Sequence, residues 1–599
     1  MERAIAGSPA SPGIVIGPVH LLRWEVPEVR HAVVDAADVP REIARLHEAL
    51  AATRQRLLVV RARAEAHAGP EEAAIFDVQL SILEDVELLS RIEGLIRQNI
   101  VAEKAVDLVL LEWRQSFARH AQPMIRERER DLVDLHIRLL SVLLDLPDHD
   151  PVDLAPGAGA ILVTHDLTPS LTVQFDRSAI AAIATDEGTR TSHVAILARS
   201  LGMPAIVGLR DATTRLRGGE LAVLDGTSGM LIVNPTPAEV KQYRQRAVRE
   251  ATAAEELARE AKGEAVTADG VRIVVRANVD LPEEAEQAAT SGAEGVGLFR
   301  TEFLVVGRPT MPDEEEQLRA YRRVAETFAG RPVVIRTYDI GGDKLPVGGY
   351  PTEANPFLGW RAIRMCLDQP ELFKVQLRAL LRAGLAGDVR VMLPLVVTVD
   401  EVRRTRALLH EAAAELEAAG VPFKRDLPLG VMIETPAAAI AADTLVKDVS
   451  FFSIGTNDLV QYTLAVDRGN ANLSSRFTPL HPAVLRLIAR VAEVGAAHGI
   501  EVAVCGEMAS EPLMAFALVG LGLRHLSVSA ASVARVKRVL RGVTESLAAE
   551  AAHGAMCAST ADEATHFLRQ RLRAAFSDRE LAALGLPGIR VSDAAAGAG

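Results

Sequence analysis

Two parts of this sequence carry residue types that could do chemistry. In the first, Gly188-Thr189-Arg190-Thr191-Ser192-His193 passes from a glycine turn, through hydroxyl side chains suited to N-capping, into the helical apolar pattern that begins at Val194. The spacing predicts His193 in the first turn of a helix. There, unpaired backbone N–H groups and the positive dipole end can receive the charge of a phosphoryl group. Arg190 and Thr191 are possible further donors, and an imidazole nitrogen is a competent nucleophile near neutral pH. A histidine at a helix start also caps or packs, and spacing alone leaves both readings open.

The second part is a series of apolar runs that each end in a charged or nucleophilic residue. Arg300 and Arg336 close two of them, and guanidinium forks suit a substrate that bears paired oxygens on both a carboxylate and a phosphate. Glu434 and Asp458 close two later runs. Their hard oxygens, completed by water and substrate oxygens, suit Mg²⁺, although Asp458 could instead cap a helix. Cys505 closes another. Buried free cysteines usually pack, but a thiol with a pKa near ~8.5 can also give a proton to carbon.

These residues need elements to hold them. From 263 onward, strand-like runs recur at 271–279, 292–300, 331–337, 389–395, 427–434, 450–455, 500–505 and 524–529, with helical stretches between them such as 399–419. Eight strands over roughly 300 residues match a (β/α)₈ barrel, whose chemistry lies at the strand C-terminal ends. Residues 158–233 also alternate strands and helices, whereas 40–63, 71–98 and 102–145 show apolar residues at three and four spacing with few glycines. The helical region therefore reads as an insertion into an α/β domain that begins with short strands in residues 1–23. Thr236-Pro237-Ala238-Glu239 is a capping box that opens a charged connecting helix to about Lys262.

Composition narrows the function classes. A chain of 599 residues exceeds one core and is expected to form at least three units. A net charge of −13, with both signs mixed along the chain, offers no general attraction to nucleic acid. Three widely separated cysteines suit neither a disulfide framework nor a clustered zinc site, so a reducing cytoplasm is the expected home. No window approaches the ~20 apolar residues of a membrane span, so no membrane insertion is expected. Between Ala64 and Ser90 stand Glu65, Glu71, Glu72, Asp77, Glu84, Asp85 and Glu87 without a lysine or arginine. That acidic face is either solvated surface or the seat of a basic partner.

The stretch from Asp166 to Gly208, with Gly-Thr-Arg-Thr-Ser-His followed by Ala-Arg-Ser-Leu-Gly-Met-Pro-Ala-Ile-Val-Gly, resembles the phosphohistidine domain of phosphoenolpyruvate-utilising enzymes. The segments around Arg300, Arg336, Glu434, Asp458 and Cys505, together with Gln461-Tyr462-Thr463-Leu464-Ala465-Val466-Asp467-Arg468-Gly469-Asn470, resemble enzyme I of the bacterial sugar phosphotransferase system in order and spacing over roughly residues 3–575. The resemblance implies a multidomain α/β protein. A phosphohistidine α/β domain (1–35 and 146–235) would carry an inserted helical carrier-binding domain (36–145), and a linker helix (236–262) would lead to a phosphoenolpyruvate-binding TIM barrel (263–575). The tail 576–599 has no assigned role.

It further implies that His193 is phosphorylated on Nε2 and that Arg300, Arg336, Asn457, Asp458 and Arg468 bind phosphoenolpyruvate. Glu434 and Asp458 would hold Mg²⁺, and Cys505 would protonate enolpyruvate. Lys344 and Arg361 are weaker phosphate candidates. The implied partners are a histidine-containing phosphocarrier protein and a second copy of the chain, giving a homodimer through the barrel. Leu171 stands where an acidic residue is usual and Tyr338 where an aliphatic one is. The alternatives are a pyruvate phosphate dikinase or phosphoenolpyruvate synthase, for whose nucleotide-binding domain there is no room before His193, and a non-catalytic regulator of the same fold.

Overall fold

A computed structural model describes residues 3–586, except 23, 25, 30–31, 68–69, 119–128, 147–158, 168–170, 172–178, 189–193, 196–197, 199–201, 306–309, 342–352, 354 and 469. The chain divides into two compact units, Met1–Thr252 and Ala253–Gly599.

The first unit is built on an eight-stranded sheet with the spatial order Ala4–Ala6, Met230–Val233, Leu221–Asp225, Ile14–Leu22, Ala160–Thr164, Ile180–Thr185, Ala205–Val207 and Ser8–Ser11. The four strands from Ile14–Leu22 to Ala205–Val207 run parallel and the flanking ones antiparallel. Central parallel strands must be apolar on both faces, and Ala160–Thr164 is buried at every position. Between Ile14–Leu22 and Ala160–Thr164 the chain leaves the sheet and forms helices Val39–His67, Pro70–Leu83, Val86–Ile96, Ala102–Ala118 and Glu129–Leu143. These close around their own core, with Leu46, Leu57, Leu88, Ile92, Leu110 and Leu139 fully buried.

The periodic run 71–98 is two helices rather than one. Asp85 turns the chain and caps the second helix, accepting hydrogen bonds from the N–H groups of Glu87 and Leu88, each at 2.9 Å. The acidic stretch is also less negative in space than along the chain. Arg61 bonds Asp77 at 2.7 Å and Glu65 at 3.0 Å, and Arg54 bonds Glu84 at 2.8 Å. Both arginines come from the preceding helix, which sequence order hides. The capping box forms as its spacing requires: Glu239 Oε2 accepts from the Thr236 N–H at 2.7 Å and opens helix Pro237–Ala261.

The second unit contains a closed barrel of parallel strands, β1 (Arg272–Val279), β2 (Val296–Arg300), β3 (Pro332–Arg336), β4 (Asp388–Leu393), β5 (Leu429–Ile433), β6 (Phe451–Ile454), β7 (Glu501–Val504) and β8 (His525–Ser529). Neighbours pair in chain order and β8 returns to β1. Seven of the eight expected runs contain one of these strands whole, and the run 389–395 overlaps β4, which starts one residue earlier at Asp388. Because alternate side chains face opposite sides of a strand, Leu298, Val334, Met392, Met432, Phe451 and Cys505 form a separate interior cluster, while their neighbours pack outward against the helices. All strand C-termini therefore open on one rim. Among the described residues, no helix is long and apolar enough to cross a membrane.

Candidate functional site

The rim is a row of alternating charges. At the end of β2, Arg300 Nη1 reaches both oxygens of Asp280 at 3.1 and 3.2 Å. Arg336, at the end of β3, bonds Glu302 on one side and Asp339 at 3.0 Å on the other. Asp339 in turn receives Arg361 at 2.6 Å, Arg361 lies 3.7 Å from Asp458, and Asp458 lies 3.5 Å from Arg468. Glu302, Arg336, Asp339, Arg361 and Asp458 are all buried. Burial opposes the charge of Arg336, but Glu302, Asp339 and Glu434 outweigh it and hold its pKa above the ordinary arginine value.

Among the described residues, the buried carboxylate of Glu434 has no arginine of its own. It is 3% exposed at the end of β5, and the Leu395 N–H donates to its Oε1 at 2.5 Å. Burial first, and then the charges of Asp458 and Asp339, push its pKa up to about 8 against the pull of Arg336. Leu395 and Ala362, next to Arg361, hold left-handed backbone at φ 55° and 54°. Such strain in residues with a Cβ costs about 1–2 kcal/mol and persists only where the surroundings impose it.

Asp458 does not cap its helix. Thr456–Leu464 begins after Gly455 without any side-chain cap bond, and Asp458 Oδ1 is buried without accepting a hydrogen bond. Glu302 Oε2 and Arg336 Nε are likewise buried and unsatisfied. Orphaned polar atoms of both signs around one rim suit a charged ligand that would satisfy them. Among the described residues, no group of three or more His, Cys, Asp or Glu side chains is arranged to hold a metal ion unaided. Two hard carboxylates, Glu434 resisting ionisation because of its burial first and the charge of Asp458 second, do fit a divalent cation that shares its shell with water and substrate.

Cys505 follows β7 and is 1% exposed. Its N–H donates to the Ile454 carbonyl at 3.1 Å, which holds the exits of β6 and β7 together. Gly506 permits this approach, since a Cβ there would stand 1.9 Å from Thr456 Oγ1. Burial raises the Cys505 thiol to about 11, with Glu434 adding to the rise and Ser453, Arg336 and Arg300 opposing it. The group is a thiol, not a thiolate, at neutral pH. Asn457 exchanges hydrogen bonds with Glu507, through the Oε1 at 3.2 Å and the N–H at 3.1 Å.

The structure thus brings Arg300, Arg336, Glu434, Asn457, Asp458, Arg468 and Cys505 to one rim. His193 and Lys344 lie outside the described residues, although the helical positions after His193 are placed: Val194, Ala195 and Ala198 are buried with Leu171, Leu162 and Ile183. Leu171 is thus a core residue. Three rim groups had no role in the sequence reading: Asp280, Glu302 and Asp339. Asp339 stands three residues from Arg336, which it binds, and that short spacing at a strand end was the available signal; Glu302 binds the same arginine across 34 positions, and nothing local marked it.

Family models agree with this division. Those for phosphoenolpyruvate-utilising enzymes match over residues 6–128 (N-terminal), 156–229 (mobile domain) and 254–545 (phosphoenolpyruvate-binding domain). A phosphoenolpyruvate-protein phosphotransferase of Geobacillus stearothermophilus is 40% identical over 571 residues, covering 95% of this chain and 98% of its own. One from Staphylococcus carnosus (strain TM300) is 39% identical over 574 residues, 95% of this chain and 99% of its own. The chain belongs to the phosphoenolpyruvate-protein phosphotransferases. It is an enzyme of that family, with the family's N-terminal and mobile domains followed by a TIM-like barrel.

Proposed function

We propose that this phosphoenolpyruvate-protein phosphotransferase takes the phosphoryl group of phosphoenolpyruvate onto His193 Nε2, releases pyruvate, and passes the group to a histidine of a small phosphocarrier protein as the first step of sugar uptake. The observation that carries the reading is the rim itself. Arg300, Arg336 and Arg468 face it, set against Asp280, Asp339 and Asp458, together with a buried thiol that stays protonated. Their guanidinium groups hold the carboxylate and phosphate oxygens, and Asn457 and Asp458 orient the bound substrate. The P–O bond breaks as the N–P bond to His193 forms. The enolate left behind takes a proton from Cys505 Sγ at its methylene carbon and becomes pyruvate, and solvent restores the thiol.

Mg²⁺ belongs to this reading, with Glu434 and Asp458 as its protein ligands. When bound, it would offset negative charge on the transferring phosphoryl group. The helical insertion is the proposed carrier surface. Because Arg54 and Arg61 already engage Glu84 and Asp77, the charge left for a basic carrier is smaller than the sequence suggests. The cytoplasm and a homodimer through the barrel complete the reading.

Incubating the full chain with ³²P-phosphoenolpyruvate and Mg²⁺ tests it. Acid-labile label is expected on the wild type and none on His193→Ala, with the melting temperature unchanged. Label retained by the variant would refute the histidine assignment, and dependence of labelling on an added nucleotide would favour a dikinase.

A further inference from the structure

We propose that Gln376, together with Tyr321, is a positioning residue for phosphoenolpyruvate that acts through the backbone carrying Arg336 and Asp339. The inference rests on the reading of Arg336 given above and names part of the machinery that holds it.

Gln376 lies on helix Pro370–Ala383 and Tyr321 on helix Glu314–Thr327, both outside the barrel strands, and both side chains are fully buried. Gln376 Oε1 accepts the Tyr338 N–H at 3.1 Å. Gln376 Nε2 donates to the Tyr321 hydroxyl oxygen at 3.1 Å and, more loosely, to Thr301 Oγ1 at 3.4 Å. The Tyr321 hydroxyl donates onward to Gln317 Oε1 at 3.0 Å, and Gln317 Nε2 ends the chain on the Pro312 carbonyl at 3.0 Å. Thr301 Oγ1 donates to the Arg336 carbonyl at 2.9 Å.

The buried amides of Gln376 and Gln317 each satisfy both their ends within this chain, which fixes the direction of its hydrogen bonds. The consequence falls on residues 336–338. The Thr337 N–H is held by the Met392 carbonyl at 2.9 Å, so three successive residues, from the last of β3 onward, are pinned by β4, by Thr301 and by Gln376. Arg336 and Asp339 leave the backbone on either side of that pinned stretch. A displacement of about 1 Å there moves the guanidinium off a bidentate ligand. Tyr338, whose side chain is buried, takes part through its backbone.

The test compares full-length Gln376→Leu with Leu485→Ala, a buried residue of helix Pro482–His498 outside the Gln376 network that controls for lost stability. At matched loss of melting temperature, Gln376→Leu is expected to raise KM for phosphoenolpyruvate about tenfold, and Leu485→Ala to leave it within twofold. Equal KM values in the two variants would overturn the proposal. If Gln376→Leu does not fold, Tyr321→Phe serves instead. It removes one hydroxyl and keeps the ring's edge-on contact with Phe299 at 6.1 Å. A KM rise of a few fold is then expected, and an unchanged KM would equally refute the role. Arg336→Ala distinguishes loss of the network from loss of the substrate contact itself. If it leaves KM intact, the substrate reading itself fails, whereas a raised KM there with wild-type behaviour in Gln376→Leu sinks the network alone.

Discussion

The two mouths of the barrel are both lined with arginines and carboxylates, and they reach opposite states of balance. At the amino-terminal mouth, Arg276 grips Glu501 through both nitrogens at 2.5 and 3.0 Å. Arg390 joins it at 3.3 Å and also holds Asp388 at 2.9 Å, and His525 lies 3.7 Å away. Burial works against the Glu501 charge, but Arg276, His525 and Arg390 overcome it and bring the pKa down to about 2. At the carboxyl-terminal mouth, among the described residues, the Leu395 N–H and the charge of Arg336 favour the Glu434 carboxylate, but burial and the neighbouring carboxylates outweigh them and its pKa rises to about 8. The same residue types make a plug where each charge has its counter-charge, and a site where one charge is left over. In barrels of this kind the first arrangement belongs to stability and the second to chemistry.

The comparison is most strongly tested by Cys505→Ala. If the upper mouth is the chemical one, turnover of phosphoenolpyruvate should fall by about 10²–10⁴ with little change in melting temperature, because a proton donor contributes on that scale. Turnover equal to wild type would return Cys505 to the interior cluster as a packing residue. Next in size is Arg276→Ala at the lower mouth. Stranding Glu501 should cost about 3 kcal/mol, read as a lower denaturation midpoint, while KM for phosphoenolpyruvate stays at the wild-type value. A changed KM with unchanged stability would reverse the assignment of the two ends.

pH separates the mouths with opposite signs. Glu501 titrates lower in the folded chain than its ordinary 4.5, so its contribution is complete above about 4.5 and is lost as pH falls toward 2. Glu434 titrates higher than its ordinary 4.5, so stability is complete below about 4.5 and declines as pH rises toward 8. Denaturation midpoints in chelator should therefore slope down on both sides. Glu434→Gln should flatten only the alkaline limb and Glu501→Gln only the acid one. A single variant that flattened both would show that the groups titrate together. The smallest effect concerns strain. Ala362→Gly releases the left-handed backbone beside Arg361 and should stabilise the fold by at most about 1 kcal/mol, with a slight rise in KM as Arg361 loosens. Higher stability with no change in KM would detach that strain from the site.

Much of this was legible along the chain. The eight strands and the capping box at Thr236 rest on local patterning, and each formed where its pattern stood. Helix boundaries were less readable: the apolar period continues from Pro70–Leu83 into Val86–Ile96 although Asp85 interrupts the backbone. The balance of the acidic stretch was hidden for a related reason, because the arginines that engage Asp77 and Glu84 sit on another helix.

By itself, the sequence determined the order of strands and helices, the residue types delivered to the strand ends, and the membership of Arg300, Arg336, Glu434, Asp458 and Cys505 in one rim, because period and turn chemistry act over a few residues. Tertiary structure alone decided which arginine neutralises which carboxylate, why Glu434 is left over, why Asp458 is no helix cap, and how Gln376 reaches the chain beyond β3. Those outcomes depend on distances between groups tens to hundreds of positions apart, such as Arg276 and Glu501, and on the water excluded between them. Only closure of the barrel sets either quantity.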